Sequence, residues 1–220
     1  MTALAPDGRP LVGTVVRMDR TVPGDAPGLF AVLDDERVYA AGYAGGPAGR
    51  PRNPDAMADM VGRAIEQPGR AAYTVRLAQD SELGAAGTVV GTSSLGDPSL
   101  VDERIHLGWT GYAPALWGSG VNPDCKLLLL THAFEACDFG RVKIQTDLLN
   151  SRSQAAIARL GAVREGVLRR HQRRADGSFR DTVVFSILIS EWPQVKRDLN
   201  DRLRRSDGSS WLEHGRSPGD

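Results

Sequence analysis

Apolar and polar residues alternate with a period of two over residues 14–18, 72–77, 88–92, 104–112 and 142–147, which predicts five strands. Two further runs, 163–174 and 179–189, flank Ala175-Asp176-Gly177-Ser178, and Asp-Gly between such runs predicts a hairpin. The pattern changes to a helical spacing elsewhere. Asp25 as N-cap with Pro27 in the first turn opens a helix to Leu33, and Asn53-Pro54-Asp55 opens a second with Met57, Met60, Val61 and Ile65 on one face. Between them Gly45-Gly46-Pro47-Ala48-Gly49-Arg50-Pro51 forces a loop. Residues 123–137 carry two adjoining apolar stripes, Leu127/Leu130/Phe134/Cys137 and Cys125/Leu128/Leu129/His132, so this helix is buried and central. A shorter helix comes next, opened by a Ser151/Gln154 capping box or by Asn150 as the cap, and stopped at Gly161. A last helix starts at Glu191-Trp192-Pro193. The order βααβββαβαββα predicts one α+β domain over residues 11–205 with a mostly antiparallel sheet, and residues 1–10 and 206–220 as flexible tails.

Composition narrows the function. The 220 residues carry 27 basic and 27 acidic side chains, and a zero net charge argues against a nucleic-acid partner. No apolar run approaches the ~20 residues of a membrane span. The N-terminus lacks the basic-then-apolar pattern of a secretory signal, so a soluble cytoplasmic protein is expected. Cys125 and Cys137 read as core residues, and the four His show no HExxH spacing, so no metal is expected.

The sharpest chemical feature is Trp117-Gly118-Ser119-Gly120-Val121-Asn122, after a strand and before the buried helix. Two glycines let the backbone turn tightly, and the free N–H groups of the first helical turn then form a pyrophosphate cradle without any basic side chain. On its own, the same pair of glycines equally suits a plain strand-to-helix turn. A dinucleotide fingerprint needs a third glycine with a later acid, and a P-loop needs Gly-Lys-Ser/Thr; neither is present.

The segments on either side of the buried helix decide between these readings. Pro114-Ala115-Leu116-Trp117-Gly118-Ser119-Gly120, then residues 141–147 with Asn150-Ser151-Arg152-Ser153, Arg159-Leu160-Gly161-Ala162, Glu165-Gly166, Asp181 and Glu191-Trp192, occur in an order and spacing that resemble the GNAT superfamily of acyl-CoA N-acyltransferases, in its RimJ/RimL-like branch. The likeness covers residues 105–193; the N-terminal third agrees in element order only. It implies a three-layer α/β/α fold with a mixed, mostly antiparallel sheet of six to seven strands, flanked by helices. The fourth strand would be bulged and splayed from the fifth, and Gly108 and Gly111 suit that bulge.

The resemblance also implies roles for individual residues. The amides of Trp117, Gly118, Ser119, Gly120, Val121 and Asn122 would hold the CoA pyrophosphate, although Ala115 departs from the family's first motif position. Asn150 would contact the pantetheine arm. The family's general-acid Tyr is replaced by Ile157, which leaves Ser153 to protonate the departing thiolate, or else only to support the helix start. The amine needs a base, for which Glu103 is the first choice, with Asp102 and His106 behind it; a solvated charged loop explains Asp102-Glu103-Arg104 as well. A main-chain N–H of the fourth strand would polarise the thioester carbonyl.

Glu165 and Asp181 fit branch patterns and equally fit hairpin ion pairs. The basic hairpin (Arg169, Arg170, His171, Arg173, Arg174, Arg180) suits an acidic acceptor, the CoA 3′-phosphate or a solvated edge, and Trp109 and Trp117 suit an acceptor cleft or the core. The implied activity is acetyl transfer from acetyl-CoA, or from another short acyl-CoA such as succinyl-CoA. The acceptor would be a primary amine of a protein N-terminus, a Lys or a small molecule, and a homodimer is expected. The other reading is a non-catalytic CoA-binding sensor or interaction module.

Overall fold

The computed structural model describes residues 3–40 and 42–207. Eight strands form one sheet: β1 (Leu11–Val12), β2 (Val16–Arg20), β3 (Ala71–Leu77), β4 (Val89–Ser99), β5 (Arg104–Tyr112), β6 (Arg141–Asp147), β7 (Val163–Arg173) and β8 (Phe179–Leu188). Their order is β1-β2-β3-β4-β5-β6-β8-β7. All neighbours run antiparallel except β5 and β6, which are parallel. The expected six to seven strands become eight because Leu11–Val12 folds back on Met18 and Arg17 through a turn closed by Gly13 N–H on the Val16 carbonyl at 2.9 Å. Two residues are too short to show a period, so this strand leaves no mark in the pattern.

Helices cover both faces. On one side, α1 (Ala26–Leu33), α2 (Glu36–Ala40) and α3 (Pro54–Glu66) bury Leu29, Leu33, Tyr39, Met57 and Val61 in a core of their own. The larger core holds Leu129, Leu130 and Phe134 of the central helical segment and Val195 and Leu199 of α6 (Trp192–Asp207) against the sheet. α4 (Val121–Thr131) passes into a wider, π-type turn at His132–Ala136, and α5 (Ser151–Ala158) follows β6. Among the described residues, no helix is long and apolar enough to cross a membrane.

The N-terminal tail is a correction. Ala3 is buried in the larger core, and the Leu4 N–H donates to the Cys137 carbonyl at 2.8 Å, so this segment packs beside the end of the α4 segment. At the other end α6 reaches Asp207, and the tail expected from 206 lies, from 208 on, outside the described residues.

Two features position the site. The first is the short ladder between β5 and β6, which pairs only Arg104–Leu107 with Arg141–Ile144. Beyond it Gly108–Tyr112 and Gln145–Asp147 diverge. The second is the anchoring of α4. The buried Asp124 carboxylate accepts the Val15 and Val16 N–H groups at 2.7 and 2.9 Å, tying the first turn of α4 to the start of β2. Asp124→Ala strands one buried and one half-buried donor and is expected to cost about 2–5 kcal/mol in urea unfolding, with Asp124→Asn, which keeps an acceptor oxygen, losing less. A loss under about 0.5 kcal/mol for the Ala variant, as at an ordinary surface site, contradicts this role.

Candidate active site

Where β5 and β6 part, a cavity of about 1500 Å³ opens between the strand ends, the head of α4, α5 and the α1–α3 side. β5 bends away because Trp109 sits in the left-handed region at φ 50°, where the β4–β5 register also shifts. The two glycines predicted for the bulge are there for space. A Cβ on Gly108 would lie 2.6 Å from His106 Nε2, and one on Gly111 would lie 3.2 Å from the Tyr43 ring. Each glycine makes room for a ring that lines the cavity.

At the head of α4 the cradle is narrower than predicted. The N–H groups of Trp117 and Ser119 donate to the carbonyls of Pro114 and Leu116, both at 3.2 Å, and that of Val121 donates to Ser119 Oγ at 3.3 Å. Val121 is buried in the core and does not reach the cavity wall. Among the described residues, the N–H groups of Gly118, Gly120 and Asn122 have no such partner, and all three residues line the cavity. Gly118, at φ +90°, has nothing within 4 Å of where its Cβ would stand. These three amides sit at the positive end of α4 and fit a phosphate group. The Trp117 indole packs beside them, its Nε1 donating to the Tyr112 carbonyl at 3.2 Å, with the Arg152 guanidinium 3.2 Å over its ring.

On the β6 side, Asn150 and Ser153 both line the cavity. Asn150, not Ser151, caps α5: its Oδ1 accepts the Ser153 N–H at 2.9 Å. With the cap supplied by Asn150, the Ser153 hydroxyl has no hydrogen-bond partner among the described residues.

The structure does not bring Glu103 to the site. It lies in the β4–β5 turn, where its carbonyl takes the N–H groups of Gly140 and Arg141 at 2.8 and 3.0 Å, at the zipped end of the parallel ladder. Asp102 is in the same turn, bonded by Ser99 Oγ at 2.6 Å, and neither residue lines the cavity. Of the three carboxylate and imidazole candidates, only His106 does. Its side chain is buried, both ring nitrogens lack a hydrogen bond among the described residues, and the ring lies 4.8 Å from that of Trp109. Asp97 Oδ2 stands 3.5 Å from His106 Nδ1, too long for a formed hydrogen bond but within ion-pair reach once the ring is protonated. Burial holds the His106 pKa below its ordinary value, so the ring is a neutral base at pH 7.

Several wall residues gave no signal in the sequence. Lys126 of α4 is buried, its Nζ donating to Thr110 Oγ1 at 2.8 Å, and burial pulls its pKa down to about 8. Burial pushes the Tyr43 hydroxyl up to about 12. Arg70 leans on Trp109. Over this end, the Ala175 N–H at the β7–β8 hairpin tip donates to the Gly45 carbonyl at 3.2 Å and roofs the cavity. Elsewhere on the hairpin, Glu165 pairs with Arg141 and accepts Ser186 Oγ at 2.8 Å, and Asp181 accepts the Arg170 N–H at 2.7 Å. Both therefore act as structural partners of the hairpin.

A family model, the acetyltransferase (GNAT) domain, matches residues 16–163. The chain belongs to the GNAT acetyltransferase family. The chain is 30% identical over 110 residues to a protein of Bacillus subtilis (strain 168) provisionally named ribosomal N-acetyltransferase YdaF. That match takes in 50% of this chain and 59% of YdaF, so it spans less than two thirds of that relative. A provisionally assigned acetyltransferase from T. thermophilus is 35% identical with a TM-score of 0.77, covering 89% of this chain and 97% of its own. Mycobacterium smegmatis RimJ, solved in complex with CoA-disulfide, shares the fold at 21% identity and a TM-score of 0.71, with 92% and 97% of the two chains covered.

The depressed His106 pKa fixes the sign of a pH effect. The unfolded chain takes up this proton near 6.5 and the folded chain only at lower pH, so stability falls as pH drops below about 6.5. His132 and His171 are shifted the same way. His106→Gln is expected to flatten the decline of urea midpoint between pH 6.5 and 5, and an unchanged slope contradicts a neutral buried ring.

Proposed function

We propose that this chain transfers an acetyl group from acetyl-CoA to a primary amine of a protein or peptide by direct attack, with His106 as the base and Ser153 as the donor to the leaving thiolate. One juxtaposition carries the reading. A single cavity runs from three unclaimed amides at the head of α4 to a buried imidazole with two unbonded nitrogens.

Acetyl-CoA supplies the acetyl group as a thioester, open to attack by a neutral amine. The Gly118, Gly120 and Asn122 amides hold its pyrophosphate at the positive end of α4. The edge of β5 from Gly108 to Tyr112, freed from β6, offers main-chain groups to the pantetheine arm, and Asn150 lies on the opposite wall. His106 accepts the amine proton, directly or through one water, and Asp97 steadies the imidazolium that results. Ser153 Oγ donates to the thiolate as it departs, which takes over the role of the missing Tyr at Ile157.

A protein acceptor is supported by the ribosomal name of YdaF.

The test is thiol release from acetyl-CoA with a panel of N-terminal peptides and small amines. His106→Gln is expected to lower kcat/KM about 100-fold or more and to remove the acid limb of the pH profile, whereas Glu103→Gln stays near wild type. Ser153→Ala is expected to lower kcat about tenfold with KM for acetyl-CoA unchanged. Full activity in the His106 variant overturns the base assignment. CoA binding without turnover of any amine favours the binding module instead.

A further inference from the structure

Arg70 is a cation set into the cavity wall, where the field of Asp97 reaches it without a direct contact. It is half-buried at the entry to β3, and burial lowers its pKa. Its Nε donates to Ser94 Oγ at 3.0 Å and its Nη1 to Gln67 Oε1 at 3.2 Å, both neutral acceptors, while the guanidinium carbon lies 4.4 Å from the centre of the Trp109 indole. Among the described residues, no carboxylate comes within ion-pair distance of it. The cavity has two carboxylates among the described residues, and both face other groups: Asp97 toward His106, and Asp147 in an ion pair with Arg174 at 2.8 Å. Other guanidinium groups, Arg63, Arg173 and Arg180, line the same cavity. A partly desolvated guanidinium fixed by two neutral hydrogen bonds and a stacking ring is pre-organised for a carboxylate, and its Nη2 makes no hydrogen bond of its own in the wall.

We infer that Arg70 is a specificity-determining residue that binds a carboxylate of the acceptor, so that the preferred acceptor is an amine bearing an acidic group close by. The inference rests on the transferase reading above. Trp109 fixes the spacing, because His106 and Arg70 pack on the same indole. An acceptor whose amine reaches His106 therefore meets Arg70 within one or two residues, at ~3.5 Å each. This describes a peptide with Asp or Glu at its first or second position. A carboxylate could also arrive on the acyl group of the donor, as in succinyl-CoA. The acceptor is favoured because Arg70 is held by Gln67, after α3, and by Ser94 of β4, whereas the pyrophosphate cradle is built at the head of α4.

The experiment compares matched tetrapeptides, aspartate or asparagine at the first and second positions, against wild type, Arg70→Gln and Arg70→Lys. Peptide binding is measured by calorimetry with CoA present, and transfer is measured with acetyl-CoA and with succinyl-CoA. Wild type is expected to bind the aspartate peptide about tenfold or more tightly than its asparagine twin. Arg70→Gln is expected to abolish that preference with KM for acetyl-CoA unchanged, and Arg70→Lys to restore part of it. Equal binding of the twins in wild type overturns the inference. So does a variant that weakens both peptides alike, or one that loses only a preference for succinyl-CoA. Because binding is read without turnover, an Arg70-dependent preference that persists with no transfer to any amine upholds the inference and refutes the transferase reading instead.

Discussion

The parting of β5 from β6 after four paired residues is the constraint on which the site depends. Parallel strands joined by a helix would ordinarily continue their ladder to the end of the shorter strand. Here Trp109 in a left-handed conformation turns β5 out of register, and the unpaired strand edges become cavity wall. Of the two rings beside the bulge, His106 fits only because residue 108 has no Cβ, and Tyr43 packs closely where residue 111 has none. Backbone departure and chemical equipment therefore arise from the same few residues. Asp124 serves the same end from the other side, holding the head of α4 where its unclaimed amides face the opening.

Polar groups in this cavity are arranged by what they lack. His106 has no hydrogen bond on either nitrogen, and Arg70 and Lys126 are buried or half-buried cations held by hydroxyl and amide oxygens. Each carries a desolvation cost that a partner would relieve. Charged groups away from the cavity are by contrast paired internally in the cases of Glu165 on Arg141 and Asp25 on Thr74 and Arg76. An unbonded imidazole and a guanidinium held only by neutral acceptors on one wall are the physical mark of a binding site on this fold.

Much of this was legible in the residue pattern. The helix of α4, the hairpin at Asp176-Gly177 and the order of strands and helices along the chain all follow from period and turn chemistry, and the Gly118/Gly120 pair marked the turn at the head of α4. The cradle was overdrawn because a periodic pattern cannot say which amides a tight turn consumes, and here every second one is used. Glu103 stands before the closed end of β5, outside the cavity: nearness in sequence to β5 does not reveal that the strand's first residues are zipped to β6 while the later ones open. His106 shares a strand face with Gly108, and a small residue two places along was the signal in its favour. Arg70, Tyr43 and Asp97 come from distant segments, and only the folded sheet brings them to one wall.

The most direct test of the open slot is a crystal structure of the protein grown with acetyl-CoA. The pyrophosphate is predicted on the Gly118, Gly120 and Asn122 amides, with the thioester between Gly108–Tyr112 and Gln145–Asp147 and close to His106. A ligand bound elsewhere, or a β5–β6 ladder closed past Leu107 with millimolar acetyl-CoA excluded, would contradict the account.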